Sequence, residues 1–554
     1  MFALAASLLL ALTVVPVATS FLLKAAPHRE PWLMRLASRA YAGMLTWALA
    51  NPRKVGAAAV AALIAAGIFY AQVGKTFMPT MDEGDIIVSV EALPSVNLDE
   101  AVAMNARLQS AILANVPDVT GIVARTGSDE LGLDPMGPNQ TDTFLVLKPA
   151  DQRQTADKPA LMQQLRQTLA QFPGLSFGFT QPIDMRVQEM ISGVRGDVAV
   201  KIFGPDIVKL NELASRLASI LSHTDGAEDV YTTLNEGAQY YTVAVNRLEA
   251  GRLGLSVDEI GAALRTQVEG RTIGTALEDG RRTPILIRGS EETRQAPTLL
   301  ANLPLTLASG RHVALSQVAL IHRVDGPVKI DREDGSRMAV VRANVRGRDM
   351  VGFVESARQK VAADLPLPQG YRLTWGGQFE NQQRAAARLS VVVPVALGLI
   401  FVLLFTTFGS IRQALLVFVN IPFALIGGVF ALVVTGEYLS VPASVGFIAL
   451  LGIAVLNGVV LVSHFNQLRS RGVPEDRIVV EGSMRRLRPV LMTASITAFG
   501  LIPLLFASGP GSEIQRPLAI VVIGGLLSST VLTLILLPIL YRRFGGGGLA
   551  KALP

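Results

Sequence analysis

Apolar residues are massed at the two ends of the chain, whereas residues 75–388 carry the shorter rhythms of an aqueous α/β protein. Seven runs are long and apolar enough to cross a hydrocarbon core of about 30 Å, which takes about 20 residues of helix. They are Phe2–Leu23, Val55–Val73, Leu389–Phe408, Ala414–Thr435, Val441–Phe465, Val490–Ala507 and Leu518–Leu540. The first lacks the basic leader and small-residue cleavage site of a secretory signal, so it reads as a span.

Between the two apolar ends the period changes. DIIVSVEAL predicts a strand, LDEAVAMNARLQSAILANV repeats its apolar positions at helical spacing, and VTGIVART predicts a strand again. TFLVLKP, KPALMQQLRQTLAQF and LSFGFTQ complete the order β-α-β-β-α-β, that of a ferredoxin-like split βαβ unit. A second unit opens at DVAVKIFG, IVKLNELASRLASILSH and AEDVYTTL, and closes much later with SRMAVVRANV, MVGFVESARQKVAADL and YRLTWGG. TPILIRG and HVALSQVALIHRV, between its halves, read as strands of an inserted subdomain. The expected fold class is a polytopic α-helical membrane protein of seven spans with a large α+β aqueous domain.

Charge orients this plan. Lys24, Arg29, Arg35, Arg39, Arg53 and Lys54 follow the first run, Arg469, Arg471, Arg477, Arg485, Arg486 and Arg488 follow the fifth, and Arg542 and Arg543 follow the last. Basic loops stay in the cytoplasm, which places residues 75–388 outside. In PWLMRLASRAYAGMLTWALANP, Trp32, Leu33, Leu36, Tyr41, Met44 and Trp47 interleave with Arg35 and Arg39, a pattern suited either to a helix in the headgroup layer or to a soluble connector. The net charge of +6 adds little, and the absence of cysteine excludes disulfides, thiolate metal sites and Cys nucleophiles.

Candidate chemistry is sparse. No Walker A or Rossmann glycine pattern follows a strand, so ATP and dinucleotide use have no support. The histidines, His28, His223, His312, His322 and His464, are scattered. MPTMDEGD sets Asp82, Glu83 and Asp85 beside two methionines just outside a span, and QPIDMRVQEMISGVRGD offers Asp184, Met185, Glu189 and Met190. Carboxylates suit hard cations and thioethers suit cuprous ions, although each stretch also reads as a polar loop. Within the spans, Asn420, Asn457, Ser463, His464, Thr493, Ser495 and Thr497 are polar, and no Asp or Glu lies deep in any of them. Asn457 needs a partner in hydrocarbon, which either a helix contact or a transport path would supply. No constellation for hydrolytic or redox catalysis, and nothing for nucleic acid, is present.

MPTMDEGD, TDTFLVLKP, QPIDMRVQEMISGVRGDVAVKIFG, GFIALLGIAVLNGVVLVSHFNQL, RLRPVLMTA and GSEIQRPLAIVVIGG, in this order, closely resemble the resistance–nodulation–division efflux pumps, most of all their heavy-metal branch. The resemblance reaches Phe544 and covers what would be the C-terminal half of such a pump, spans six to twelve and the second external loop. It implies a span at 1–24, an interfacial helix at 25–54 and a span at 55–74. Porter subdomains are then expected at 75–195 and at 196–231 with 326–388, and a docking subdomain at 232–325. A five-span bundle at 389–544 and a flexible tail at 545–554 complete the division.

The same resemblance implies proton antiport from the bacterial inner membrane, a homotrimer, a periplasmic adaptor, an outer-membrane channel and an N-terminal half supplied separately. The proton-carrying acids would lie on a fourth span outside this chain, with Asn457 and Thr493 in the relay neighbourhood. Where the drug-exporting branch has a lysine before the Asn, this chain has Leu456, which weakens a drug-pump reading. Leu255 stands where monovalent copper and silver pumps are expected to carry a methionine, so a divalent cargo such as zinc, cobalt, nickel or cadmium is favoured. Asp184 and Glu189 are the expected ligands, with Asp82, Glu83 and Asp85 behind them. The metal is cargo, and no cofactor is expected. The alternatives are a non-transporting remnant or assembly subunit and an exporter of organic compounds.

Overall fold

Backbone amides in hydrocarbon find partners only within their own segment, so the apolar ends fold as helices. In a computed structural model, which describes residues 2–22, 31–79, 81–128, 136–155, 157–232, 236–507, 509 and 511–545, six helices are long and apolar enough to cross a membrane. They are Pro52–Gln72, Gln378–Phe408, Ile411–Thr435, Val441–Ser470, Arg477–Phe506 and Ser512–Phe544. The expected seventh span is the helix Phe2–Leu22, of which Ala5–Phe21 counts as a shorter apolar helix. Lys24, Arg29, His28 and the tail beyond residue 545 lie outside the described residues.

The chain divides into two compact units, one holding residues 1–73, 78–80 and 386–554, the other residues 74–77 and 81–385. In the helical unit, Ser512–Phe544 is the central element, packed on Asn420–Thr435, Val441–Ser470 and Glu475–Phe506. Small residues permit the closest approach: a Cβ on Gly427 would meet the Gly524 carbonyl oxygen at 2.1 Å, and one on Gly524 would meet Ala431 Cβ at 2.4 Å. The fourth apolar run is broken: Ile411–Phe418 ends at Val419, and a separate helix starts at Asn420.

Two sequence expectations change here. Arg477, Arg485, Arg486 and Arg488, expected in a loop, lie within the helix Glu475–Phe506, and Arg469 lies within Val441–Ser470, because helical hydrogen bonding continues beyond the apolar runs. Tyr41, expected among headgroup-facing residues of the helix Trp32–Ala50, is buried and donates its hydroxyl to the Leu534 carbonyl at 2.8 Å. Trp32, Leu33, Leu36 and Trp47 on the same helix remain exposed.

The second unit contains two sheets of one design. The first runs Val119–Thr126, Gln140–Leu147, Ile86–Glu91, Ser176–Thr180, antiparallel throughout, with helices Leu98–Asn115 and Lys158–Leu169. Its core joins Ile86, Val88, Leu145, Leu108, Ile112, Leu161 and Leu165, each fully or almost fully buried. The second centres on Ser336–Val345 and Val198–Phe203, flanked by Ala227–Thr232 and Arg372–Gly377, with helices Ile207–Ser222 and Met350–Asp364. Between Thr232 and Ser336 the chain builds a ribbon of Ala238–Val245 with Ala319–Gly326 and an exposed hairpin, Arg271–Glu278 with Arg281–Ile287. HVALSQVALIHRV, expected as strand, is split by a 3-10 turn at Leu315–Gln317.

Candidate functional site

The acids singled out by the sequence gather around one short helix, Pro182–Ser192, where a polar loop was the alternative reading. Pro182 fits the first helical position, whose N–H is unneeded, and Gly193 at φ 67° ends the helix in the left-handed conformation. Gln181 gives no side-chain cap. The cap comes from Glu83, whose carboxylate accepts the N–H groups of Ile183 and of Asp184, the latter at 2.8 Å. Gln181 ties the two segments together by donating to the Met81 carbonyl at 2.6 Å and accepting the Glu83 N–H at 2.9 Å.

Asp82 and Asp85 are also engaged. Asp82 accepts from Lys158 Nζ and from the Gly84 N–H, and Asp85 accepts the Leu147 N–H at 3.1 Å. Burial pushes the Asp82 carboxyl up, but Lys158 and the Gly84 amide outweigh it and hold the group below its ordinary range. Glu189 receives Arg195 Nη2 at 2.6 Å and Arg186 Nη1 at 3.1 Å. Arg195 also grips Asp142, at 2.6 Å and 3.0 Å, and Asp142 takes Arg125 at 3.1 Å.

Asp184 differs from all of these. It accepts from Gln188 at 2.8 Å, Gln378 at 3.3 Å and Thr180 at 3.5 Å, and among the described residues no cation pairs with it. Burial first, then the Asp197 and Glu83 charges, push its carboxyl up to about 6. A half-buried carboxyl in an acidic neighbourhood gains charge compensation by exchanging its proton for a cation. Asp184 and Glu189 are five residues apart, hence about 140° apart around the helix. Among the described residues, no three of His, Cys, Asp or Glu are grouped to hold a metal ion. Met185 is buried and Met190 is 86% exposed, so the two thioethers are not presented together, and Leu255 belongs to the core of the inserted subdomain.

The helical unit brings Asn457 and Thr493 together. Asn457 is 3% exposed; its Oδ1 accepts from Thr493 Oγ1 at 3.3 Å, and its Nδ2 has no partner among the described residues. Asn420 Nδ2 donates to Thr533 at 2.6 Å, while Gln413, Asn466 and Tyr541 form a second polar seam at 2.8 Å contacts. Replacing Asn457 with Leu removes an unpaired buried donor, so insertion and thermal midpoint are expected to hold or rise slightly. Transport by a complete pump is expected to fall severalfold. Unchanged efflux by a correctly inserted Leu variant would assign Asn457 to packing alone.

Arg195, Asp142, Gln188 and Gln378 were not singled out from the sequence. The signal for Asp142 was a lone acid within the apolar alternation of QTDTFLVL; nothing local marked the others.

A model of the AcrB/AcrD/AcrF family matches residues 1–545. The chain is 42% identical to the cation efflux system protein CzcA of Alcaligenes sp. (strain CT14) over 98% of its own length and 52% of that protein's. It is 38% identical to the nickel and cobalt resistance protein CnrA of Cupriavidus metallidurans, over 100% of this chain and 52% of that one. A crystal structure of a heavy metal efflux pump superposes with a TM-score of 0.84 at 36% identity, covering 93% of this chain and 52% of that chain. The chain thus spans about half the length of the relatives it matches. On this evidence the chain belongs to the AcrB/AcrD/AcrF family of resistance–nodulation–division efflux proteins, on its heavy-metal side.

Proposed function

We propose that this chain forms the C-terminal half of a proton-driven exporter of divalent heavy-metal cations in the bacterial inner membrane. It works with the half that completes the relatives' length, as a trimer coupled to a periplasmic adaptor and an outer-membrane channel. The observation that carries the reading is 38–42% identity, over almost the whole chain, to relatives named for cation efflux and for nickel and cobalt resistance. The residue types are compatible with it: Asp184 and Glu189, on different faces of one helix, offer carboxylates, and the buried Leu255 offers no thioether. In this scheme Asp184 loses its proton as the cation arrives, and Glu189 exchanges a guanidinium for the metal. Proton entry lies with acids outside this chain, and Asn457 with Thr493 forms the surface that meets them.

The test is metal content in a pump-deficient strain carrying this chain alone or with a matching N-terminal half, challenged with zinc, cobalt, nickel, copper and silver. Lower zinc, cobalt or nickel only in the co-expressing cells is expected. Lower copper or silver instead would overturn the divalent assignment. No change, with both halves verified in the membrane, would favour the non-transporting remnant.

A further inference from the structure

At one end of the second α/β sheet lies an open cleft of about 650 Å³, lined by Phe203, Tyr371 and three arginines, Arg332, Arg337 and Arg372, with glycines between them. Two of the guanidiniums belong to residues directly opposed in the strand register: Arg332 pairs with Arg337 across the turn that joins Arg332–Glu333 to Ser336–Val345. Like charges directly opposite one another destabilise a strand pair. Among the described residues, no carboxylate forms an ion pair with any of the three.

The contacts they do make are to neutral groups. Arg332 donates to the Gly335 carbonyl at 3.4 Å, Arg337 to the Pro205 carbonyl at 2.9 Å, and Arg372 to Thr374 Oγ1 at 3.4 Å. Arg372 also stacks over Phe203, 3.7 Å from the ring centroid, which orients its guanidinium. Of the neighbouring acids, Asp331 pairs with Lys329 at 3.1 Å and Glu333 with Lys201 at 2.6 Å, while Asp334, in the turn between the two strands, forms no ion pair with any of the three arginines. Three arginines thus line one space, and none of them is ion-paired to a carboxylate among the described residues.

We propose that this cleft binds the acidic side chains of a partner polypeptide. Guanidiniums favour carboxylates through paired, charge-assisted hydrogen bonds. Arg332 and Arg372 are exposed, so one small anion competes with water at each of them, whereas several carboxylates on one chain bind together and gain from being linked. The aromatic rings suit the aliphatic stems of glutamates. The cleft repels a metal cation, so the assignment stands independently of the transport reading.

The experiment uses the full chain purified in detergent, with a dye-labelled poly-glutamate peptide followed by fluorescence anisotropy. Poly-glutamine, inorganic phosphate and phosphatidylglycerol vesicles are the comparison arms. Arg332→Gln with Arg337→Gln is expected to weaken poly-glutamate binding roughly tenfold or more, since a tenfold change needs only about 1.4 kcal/mol. Arg282→Gln, on the exposed hairpin, is expected to leave it unchanged. Arg332→Gln alone should also raise the thermal midpoint by relieving the opposed pair, a gain that a merely structural arginine would not give. Equal binding by wild type and the double variant, or an equal loss in Arg282→Gln, would overturn the proposal. Displacement of the peptide by phosphate or vesicles at matched charge would overturn it in favour of a phosphate-bearing ligand.

Discussion

Arg195→Ala is expected to lower the stability of the second unit by about 1.5–3 kcal/mol, the usual effect of removing charge-assisted hydrogen bonds from a buried carboxylate that keeps a second guanidinium. Asp142 has a side chain only 1% exposed, and Arg195 supplies two of its hydrogen bonds. Without Arg195, Asp142 keeps one bond to each oxygen, from Ser89 to Oδ1 and from Arg125 to Oδ2, both at 3.1 Å, and loses its two bonds to Arg195. Asp142→Asn with Arg195→Met should recover part of the loss, because no buried carboxylate is then left short of its guanidinium, although Arg125 and Glu189 each lose one ion pair. Denaturation of the full chain measures both, and a loss below about 1 kcal/mol in Arg195→Ala would show that the network is not structural.

The pH sign follows from the same geometry. Burial pushes the Asp142 carboxyl up, but Arg195, Ser89 and Arg125 outweigh it, so its folded value lies below the ordinary one. The stabilisation is therefore present above the unfolded carboxylate value and is lost as pH falls through the lowered folded one. The Arg195 variant should show a shallower acid limb than wild type. Because Arg195 also holds Glu189, the variant leaves that candidate metal ligand with Arg186 at 3.1 Å.

How much of this was legible in the sequence depended on the reach of each interaction. Repeating apolar positions mark local structure, so the split βαβ order was readable from strands such as DVAVKIFG and helices such as IVKLNELASRLASILSH. Helix ends in the membrane unit were read short, since Glu475–Phe506 continues through a polar stretch where periodicity is masked. The helix Pro182–Ser192 had its proline and glycine punctuation in view, yet its cap comes from Glu83 in a remote segment. The same holds for the candidate site. Asp82, Glu83, Asp85, Asp184 and Glu189 could be chosen by residue type, but only tertiary contacts distinguish the capping Glu83 or the arginine-bound Glu189 from Asp184, whose partners among the described residues are neutral.

That distinction makes Asp184 the residue whose titration should be felt. Its folded carboxyl stands at about 6 against an ordinary 3.8, because burial, Asp197 and Glu83 all disfavour the charge. The protonated form is therefore favoured by folding, and the associated stability is complete below the ordinary value and lost as pH rises through about 6. The shift corresponds to roughly 3 kcal/mol as an upper bound, which water reaching a half-buried group reduces. Asp184→Asn should match wild type near the ordinary carboxyl value and exceed it by about 1–3 kcal/mol above pH of about 7. Zinc should then raise the midpoint of wild type but not of the Asn variant, since a cation that binds only the folded carboxylate adds its binding energy to stability. Parallel pH profiles for the two proteins would show that Asp184 is an ordinary surface acid. A zinc shift that survives in Asp184→Asn would move the cation to other ligands, and Glu189, once released from Arg195, is the first to examine.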